Sequence, residues 1–444
     1  MSWDNATRAT FGDLIDCGVL DVTDGYRAQN SELGGNGLIF LRAGHVSDSH
    51  IDFKGVERFH EELTPRLKEK ISEPGDVAVT TKGNSTGRVA FVTPAMPPFV
   101  YSPHMSRWRS LDRDQLEPGF LRYWSRSREF AIQLGGMSAS TDMAPYLSLR
   151  DQRRLQITLP QIDNQRVIAS VLGALDDKIE QNRKTAQSLE RLARAVFQAW
   201  FVDFEPVKAK AAGATAFPSM PQPVFDALPT GFVASDIGPV PEGWEVKAIG
   251  DVVTAKGGGT PSTKDAEYWD GGEHRWATPK DMSRLAHPVL LDTERRITDA
   301  GVNSISSGIL PVGTVLMSSR APVGYLAIAG VPTAINQGFI AMVCDGPLPP
   351  TYVLNWAFAS MDAIKARASG TTFPEISKKS FRAMPAVVPT FDVVAAYRQV
   401  ADPLFDLLSA YVKESEQLAT MRDYLLPKLL SGQVSAESLL PEAE

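Results

Sequence analysis

The sequence predicts an α+β protein: two strand-rich domains separated by a pair of long antiparallel coiled-coil helices, with pseudo-two-fold symmetry. Three observations carry this expectation. The chain says nearly the same thing twice: "LPQIDNQRVIASVLGALDDKIEQNRK" begins at Leu159 and "VPTFDVVAAYRQVADPLFDLLSAYVK" begins at Val388, at a constant offset of 229 residues. That offset sets Pro160 against Pro389, Asp163 against Asp392, Val171 against Val400, Ile179 against Leu408 and Leu189 against Leu418. Each copy follows a strand-rich block of domain size, and each has apolar residues recurring every three or four positions, the seam of a helix that buries one stripe against a partner.

The elements follow in order. Residues 1–158 read as short strands broken by Gly and Pro, with "GDVAVTT" and "RVAFVT" flanking the hairpin-like turn "KGNSTG". From 159 to 205 the period changes: Ile168, Val171, Leu175, Ile179, Asn182, Ala186, Leu189, Ala193, Val196 and Trp200 form one seam. Asp163 stands where a helix N-cap would, and Pro206 marks the end. Residues 206–240, rich in Ala and Pro, read as a linker laid over the surface. The second strand-rich block runs over 241–389. The second seam, over 390–432, is Tyr397, Val400, Leu404, Leu408, Tyr411, Ser415, Leu418, Met421/Arg422, Leu425 and Leu429, with Pro403 expected to kink or delay it. Residues 433–444 read as a frayed tail. Asn182 and Ser415 leave each seam polar near its middle, either as tolerated imperfections or as buried groups that fix register.

With 444 residues the chain has room for two or three domains and ample core. Two distant cysteines, Cys17 and Cys344, give neither a disulfide framework nor a zinc signature, which points to a reducing compartment. "MSWDNATRATFGD" has no apolar core, so it does not read as a signal peptide, and no stretch approaches a membrane span. A net charge of −7 argues against nucleic acid as a partner unless the basic residues are concentrated locally. They are: from Lys54 to Arg154 there are 16 Lys and Arg against 12 Asp and Glu.

Several strings in order carry a family resemblance. "LPQIDNQRVIASVLGALDDKIEQNRK" followed by "AWFVDFEPVKAK", then "PEGWEVKAIGDV", "GGGTPSTKDAEYWDGGEHRWATPKDM", "GTVLMSSRAPVGYLAIAG", "AINQGFIAM", "SGTTFPEISKKSFRAMPAVVP" and "LLPKLLSGQV" resemble the DNA specificity subunit of type I restriction-modification systems. The first block departs from the pattern. "GDVAVTTKGNSTGRVAFV" lies against "GTVLMSSRAPVGYLAIAG" and "SASTDMAPYLSLRD" against "SGTTFPEISKKS", but there is no NQGF and no GGGTPST.

The resemblance implies two target-recognition domains, each reading one half of a bipartite double-stranded DNA target. The paired helices would set the spacer and dock two modification (methyltransferase) subunits. It implies no catalytic centre, metal or cofactor on this chain; S-adenosylmethionine, ATP and Mg²⁺ belong to the modification and motor-nuclease restriction subunits. It also implies a cytoplasmic protein of prokaryotic defence that acts in DNA methylation, with no membrane.

The residues agree with a non-catalytic reading. "MPPF" at 96–99 and "LPPT" at 348–351 lack the polar side chain that an adenine-methylating loop needs. Gly257 to Gly259 precede Thr-Pro rather than a helix, no phosphate loop with Lys-Ser/Thr occurs, and the six histidines form no ligand pair. The competing expectations are a self-contained DNA adenine methyltransferase with divergent motifs and a coiled-coil scaffold with no DNA role.

Base reading in a groove needs paired donors and acceptors. In the second block the candidates are Thr260, Ser262, Lys264, Thr278, Lys280, Ser319, Arg320, Asn336, Gln337, Thr371 and Thr372. In the first they are Lys82, Asn84, Ser85, Arg88, Arg107 and Arg109. "NQGF" and "GTPST" also read as plain turns, the first needing Gly338 with Phe339 in the core; Trp269 and Trp276 read as core. A helix from Asp163 to Trp200 would span about 55 Å at 1.5 Å per residue, enough to hold two domains over major grooves about 34 Å apart.

Overall fold

The computed structural model describes residues 6–47, 50–138, 146–370 and 374–434. It divides into two compact units, Met1–Ile179 with Gln417–Glu444, and Glu180–Glu416.

In unit 1, short β-branched and aromatic runs make nine strands among the described residues: β1 (Thr7–Thr10), β2 (Leu20–Asp24), β3 (Ile39–Leu41), β4 (Glu57–Arg58), β5 (Val77–Thr80), β6 (Val89–Phe91), β7 (Phe99–Tyr101), β8 (Met105–Ser110) and β9 (Gln156–Leu159). They form a four-stranded sheet β2-β8-β5-β6, a three-stranded sheet β4-β3-β7 and the pair β1-β9. The hairpin expected around KGNSTG is β5–β6, in register Val77↔Phe91. Phe11, Trp108, Trp124 and Phe130 centre the core, which Ile168, Leu172 and Leu429 of the two long helices complete.

Unit 2 repeats this plan with β10 (Phe232–Val233), β11 (Val240–Pro241), β12 (Glu245–Ala248), β13 (Thr254–Gly257), β14 (His274–Ala277), β15 (Val289–Leu290), β16 (Arg295–Ile297), β17 (Val315–Ser318), β18 (Leu326–Ala329), β19 (Thr333–Ile335), β20 (Phe339–Val343) and β21 (Pro385–Val388). The sheets are β13-β20-β17-β18-β15, β16-β14-β19, β12-β21 and β10-β11. Strand for strand, β13, β20, β17 and β18 match β2, β8, β5 and β6, while β16, β14 and β19 match β4, β3 and β7. Even the uncommon parallel pairing is kept, β3 with β7 and β14 with β19. The strands that lead into the two long helices match too: Thr7 pairs with Leu159, and Glu245 with Val388.

The first long helix is Ile162–Phe197, with a π-type turn over Gln198–Val202 before Phe204 adopts a left-handed φ of 53°. The second is Phe391–Leu430. Every residue of the first seam is buried or half-buried. The helices pack against each other within each unit. In unit 1 the Arg422 guanidinium donates to the Asp176 carboxylate at 2.8 Å. In unit 2 the Asn182 amide donates to Glu414 at 2.8 Å, and the rings of Phe197 and Tyr397 lie 6.1 Å apart. The partner number falls from 414 to 397 as the first helix advances from 182 to 197, so the pair is antiparallel.

Three expectations are corrected. The helix starts one residue before Asp163, which lies in its first turn, where a carboxylate complements the helix dipole, rather than at the cap. Pro403 does not delay the second helix, which begins at Phe391 and runs through it to Leu430. Pro403 and Gln399 are both exposed, so the carbonyl that loses its donor lies on the solvent side of the helix. Residues 206–240 are not merely a surface linker. Helices Glu205–Ala211 and Gln222–Ala227 bury Val207 and Phe225, and with Met220 and Leu228 these join the core of unit 2.

Candidate nucleic-acid interface

In unit 2 five segments distant in sequence meet beyond one end of the sheets. They are the loop after β13 (258–264), the turn after β14 (278–280), the β17–β18 hairpin (319–325), the turn before β20 (336–338) and the segment around Glu375. Backbone bonds tie them together. The amide of Gly259 donates to Ile335 at 3.1 Å, Asn336 to Ala277 at 3.0 Å, Ser319 to Gly338 at 2.8 Å and Ile376 to Ser319 at 3.1 Å. Gly258 is required by the approach: a Cβ there would sit 2.0 Å from the Ile335 carbonyl oxygen.

The side chains divide into structural and available groups. Thr278 spends its hydroxyl on Asp281 at 2.6 Å, as part of a capping box that starts the short helix Pro279–Ser283. The Asn336 side-chain oxygen accepts from the Gly338 amide at 2.8 Å, which fixes the NQGF turn, and Phe339 is in the core as the turn reading requires. Trp276 is buried and donates to the Gly259 carbonyl at 3.1 Å, and Trp269 packs edge-on against it. Ser319 is buried. On the exposed side, the Thr260 hydroxyl donates to the Gln337 side chain, and Ser262 and Lys264 face solvent. Lys280 pairs with Glu294 at 3.0 Å and holds that carboxyl below the usual range. Arg320 lies 3.9 Å from Glu375. A shallow depression lined by Gly258, Ser319, Gln337, Glu375 and Lys378 sits among them. Thr371 and Thr372 lie outside the described residues.

Unit 1 builds the same junction bond for bond. Tyr26 donates to Tyr101 at 2.7 Å, Ser102 to Leu41 at 2.9 Å, Thr81 to His104 at 2.9 Å and Leu147 to Thr81 at 2.8 Å. Gly25 stands where Gly258 does, with a Cβ position 1.9 Å from the Ser102 carbonyl oxygen. Lys82 bridges to Tyr146 as Arg320 bridges to Glu375. Lys82 and Asn84 are exposed on the β5–β6 turn. The Ser85 carbonyl accepts from Thr80, and Arg88 reaches the Val46 carbonyl at 3.4 Å.

Arg107 and Arg109 are a correction. Both lie on β8, on the face opposite Trp108, and are held by carboxylates: Arg107 by Asp21, and Arg109 by Asp76 at 2.6 Å and Glu73 at 2.5 Å. Only 6% of the Arg107 side chain is exposed, so neighbouring strands, not DNA, take up its charge. Sequence reasoning also missed segments 25–29 and 102–104, which occupy the places of GGGTPST and NQGF without sharing their letters. The available signal was position: "SPHM" leads into β8 as "NQGF" leads into β20.

Among the described residues no helix is long and apolar enough to cross a membrane, and no three His, Cys, Asp or Glu residues gather as metal ligands do.

Comparison with known proteins adds four findings. Residues 20–191 and 241–393 match the type I restriction modification DNA specificity domain family. The chain is 37% identical over 191 residues to the MjaIX type I restriction enzyme specificity subunit of Methanocaldococcus jannaschii, covering 43% of this chain and 44% of that one. It is 24% identical to the HindI specificity subunit of Haemophilus influenzae, covering 89% and 94%. Its fold resembles the crystal structure of the type I restriction-modification S subunit from M. genitalium, with a TM-score of 0.59, 15% identity and 96% of each chain covered.

Proposed function

We propose a division of labour within a chain that belongs to the type I restriction modification DNA specificity family. It is a DNA specificity subunit with no catalytic role of its own, and its two recognition domains, 1–158 and 241–389, each read one half of a bipartite target. The loop cluster of each domain enters the major groove. The helical segments 159–205 and 390–432 act as a ruler that fixes the number of unread base pairs between the halves. They also seat two modification subunits. S-adenosylmethionine acts on those subunits, ATP and Mg²⁺ act on the motor-nuclease subunits, and the assembly works in the cytoplasm.

The observation that carries this reading is the duplicated junction: the same five segments, tied by the same backbone bonds, close each unit. A duplicated reading surface suits a target with two specified halves. The acidic total charge is compatible, because phosphate contacts need local cations, and Arg320 and Lys280 have only exposed carboxylates to exchange for phosphates.

Selection of duplexes from a randomised pool by the full chain, purified with the subunits that accompany it, tests the reading. Two short specified segments with several unread pairs between them are expected. A single contiguous motif, or no motif, would refute it. Labelling of DNA by the chain alone with S-adenosylmethionine would favour an enzyme instead.

A further inference from the structure

We infer that Arg27 and His104, with Lys82, are the base-reading side chains of unit 1. The inference rests on the reading above and goes beyond it, because no motif in the sequence singles out Arg27 or His104.

The hydrogen-bond register fixes the correspondence. β2 pairs with β8 so that Asp24 faces Ser106, and β13 pairs with β20 so that Gly257 faces Ile340. β5 sets Val79 against Ser106, and β17 sets Met317 against Ile340. Gly25 therefore stands for Gly258, and Tyr26, whose amide donates to Tyr101, stands for Gly259, whose amide donates to Ile335. The next residues, Arg27 and Thr260, are equivalent. On the other strand, Thr81 donates to the His104 carbonyl as Ser319 donates to that of Gly338, so His104 occupies the Gly338 position and Pro103 that of Gln337.

The chemistry at these places differs between the units. In unit 2 the Thr260 hydroxyl is satisfied by Gln337. In unit 1 the equivalent pair is Arg27 and Pro103, and a proline ring accepts nothing. Arg27, Lys82 and His104 are all exposed, and their side chains make no hydrogen bond or ion pair among the described residues. The carboxylate that accompanies Arg320 in unit 2 is replaced by Tyr146, so Lys82 has no carboxylate beside it among the described residues. An unpaired guanidinium on a loop held this tightly by its flanking amides is placed to donate twice to guanine N7 and O6. A second cation and an imidazole beside it extend the reading to neighbouring bases. Unit 1 thus places cations where unit 2 has the Thr260–Gln337 pair, and its half-site is expected to contain guanine.

The test uses the full chain with its accompanying subunits and a pool of randomised duplexes, comparing wild type with Arg27→Ala, His104→Ala and Arg320→Ala. Thermal melts check that each variant folds. Arg27→Ala is expected to erase a guanine preference of roughly 10- to 100-fold at one position of one half-site and leave the other half intact. His104→Ala should relax a position in that same half, and Arg320→Ala a position in the other. The inference is overturned if both halves keep their preferences in the Arg27 and His104 variants. It is also overturned if affinity falls equally for all sequences with a shallower salt dependence, the mark of a phosphate contact. If wild type selects no bipartite motif, the functional reading itself fails, and this assignment with it.

Discussion

At the scale of single residues, part of the charge in this protein is structural, and Asp176 shows it best. This carboxylate on the first long helix accepts from Arg122, from Tyr123 at 2.9 Å and from Arg422 at 2.8 Å, with Arg126 3.7 Å away. Burial pushes its pKa up, but the Arg122 charge, followed by the bonds from Arg422 and Tyr123, outweighs that and holds it below the ordinary carboxylate value. A depressed folded-state pKa contributes stability that is present above the unfolded value, about 3.9, and lost as pH falls through the folded value. Acid denaturation of the wild type should therefore gain part of its steepness below about pH 4 from this group, a component that Asp176→Asn removes. Asp176→Ala should cost about 3–5 kcal/mol in urea unfolding, because it strands buried guanidinium groups. If the variant unfolds like wild type, the cluster is not stabilising. None of this was legible in the sequence, where Arg122 and Arg126 looked like local positive balance: their partner lies about fifty residues away. Arg107 and Arg109 misled for the same reason, since a period of two shows that they share a face but not that Asp21 and Asp76 lie across the sheet. Gly258 is a sharper case. Gly258→Ala must push back the Ile335 carbonyl and so displace the loop that carries Thr260. The variant is expected to fold yet lose selectivity in one half-site only, seen as a flattened base preference in duplex selection.

At the scale of elements, the helices were the most legible part, because a period of 3.6 sustained over ten turns has no competing explanation. Their ends were less so. The sequence could not show that Gln198–Val202 would add a π-type turn, nor that Pro403 would fall on the exposed face, where a missing donor costs little. The polar seam positions also separate in a way that letters alone cannot predict. Asn182 is 1% exposed and bonds across to Glu414, whereas Ser415 donates to the Tyr411 carbonyl of its own helix. Asn182 thus ties the two helices together and Ser415 does not. Asn182→Ala should cost about 1 kcal/mol or more in unfolding experiments, and Ser415→Ala close to nothing. The ruler role makes a geometric prediction. Seven residues inserted between Ile179 and Glu180 and seven more between Glu416 and Gln417 lengthen each helix by about 10 Å, roughly three base pairs at 3.4 Å each. Duplex selection should return the same two half-sites, about three pairs further apart. An altered base inside either half would refute the ruler.

At the scale of the whole molecule, the lesson is how fold and letters diverge. The duplicated helices announced themselves through a constant offset, the duplicated domains only through "GDVAVTTKGNSTGRVAFV" and "SASTDMAPYLSLRD", which lie against strings of the second block. Their nine shared strands are recognised by register, not by identity, and β2 with β13 or β3 with β14 have few residues in common. What the two domains preserve is backbone: close approaches at Gly25 and Gly258, and carbonyls and amides that meet at the same stations. What they vary is the side chain carried at each station, as a reading surface requires. This sets the terms for exchanging a domain. Residues 241–389 enter through β12 and leave through β21, which pair with each other, Glu245 opposite Val388, so the ends of a graft are brought together by its own sheet. Yet Val207, Phe225 and Leu228, upstream of that boundary, belong to the same core as Val315, Met342 and Trp356. A graft that begins at 241 sets a foreign core against these native residues, and mismatched packing of that kind costs about 1–3 kcal/mol. Phe197, Trp200 and Tyr397 of that core stay native in either graft, so a graft of 206–389 from a relative should melt several degrees above a graft of 241–389, as read by calorimetry. Both should replace one half of the selected motif with the donor's and leave the other half and the spacing unchanged. If both halves change, the domains do not read independently. If neither changes, specificity lies outside residues 206–389.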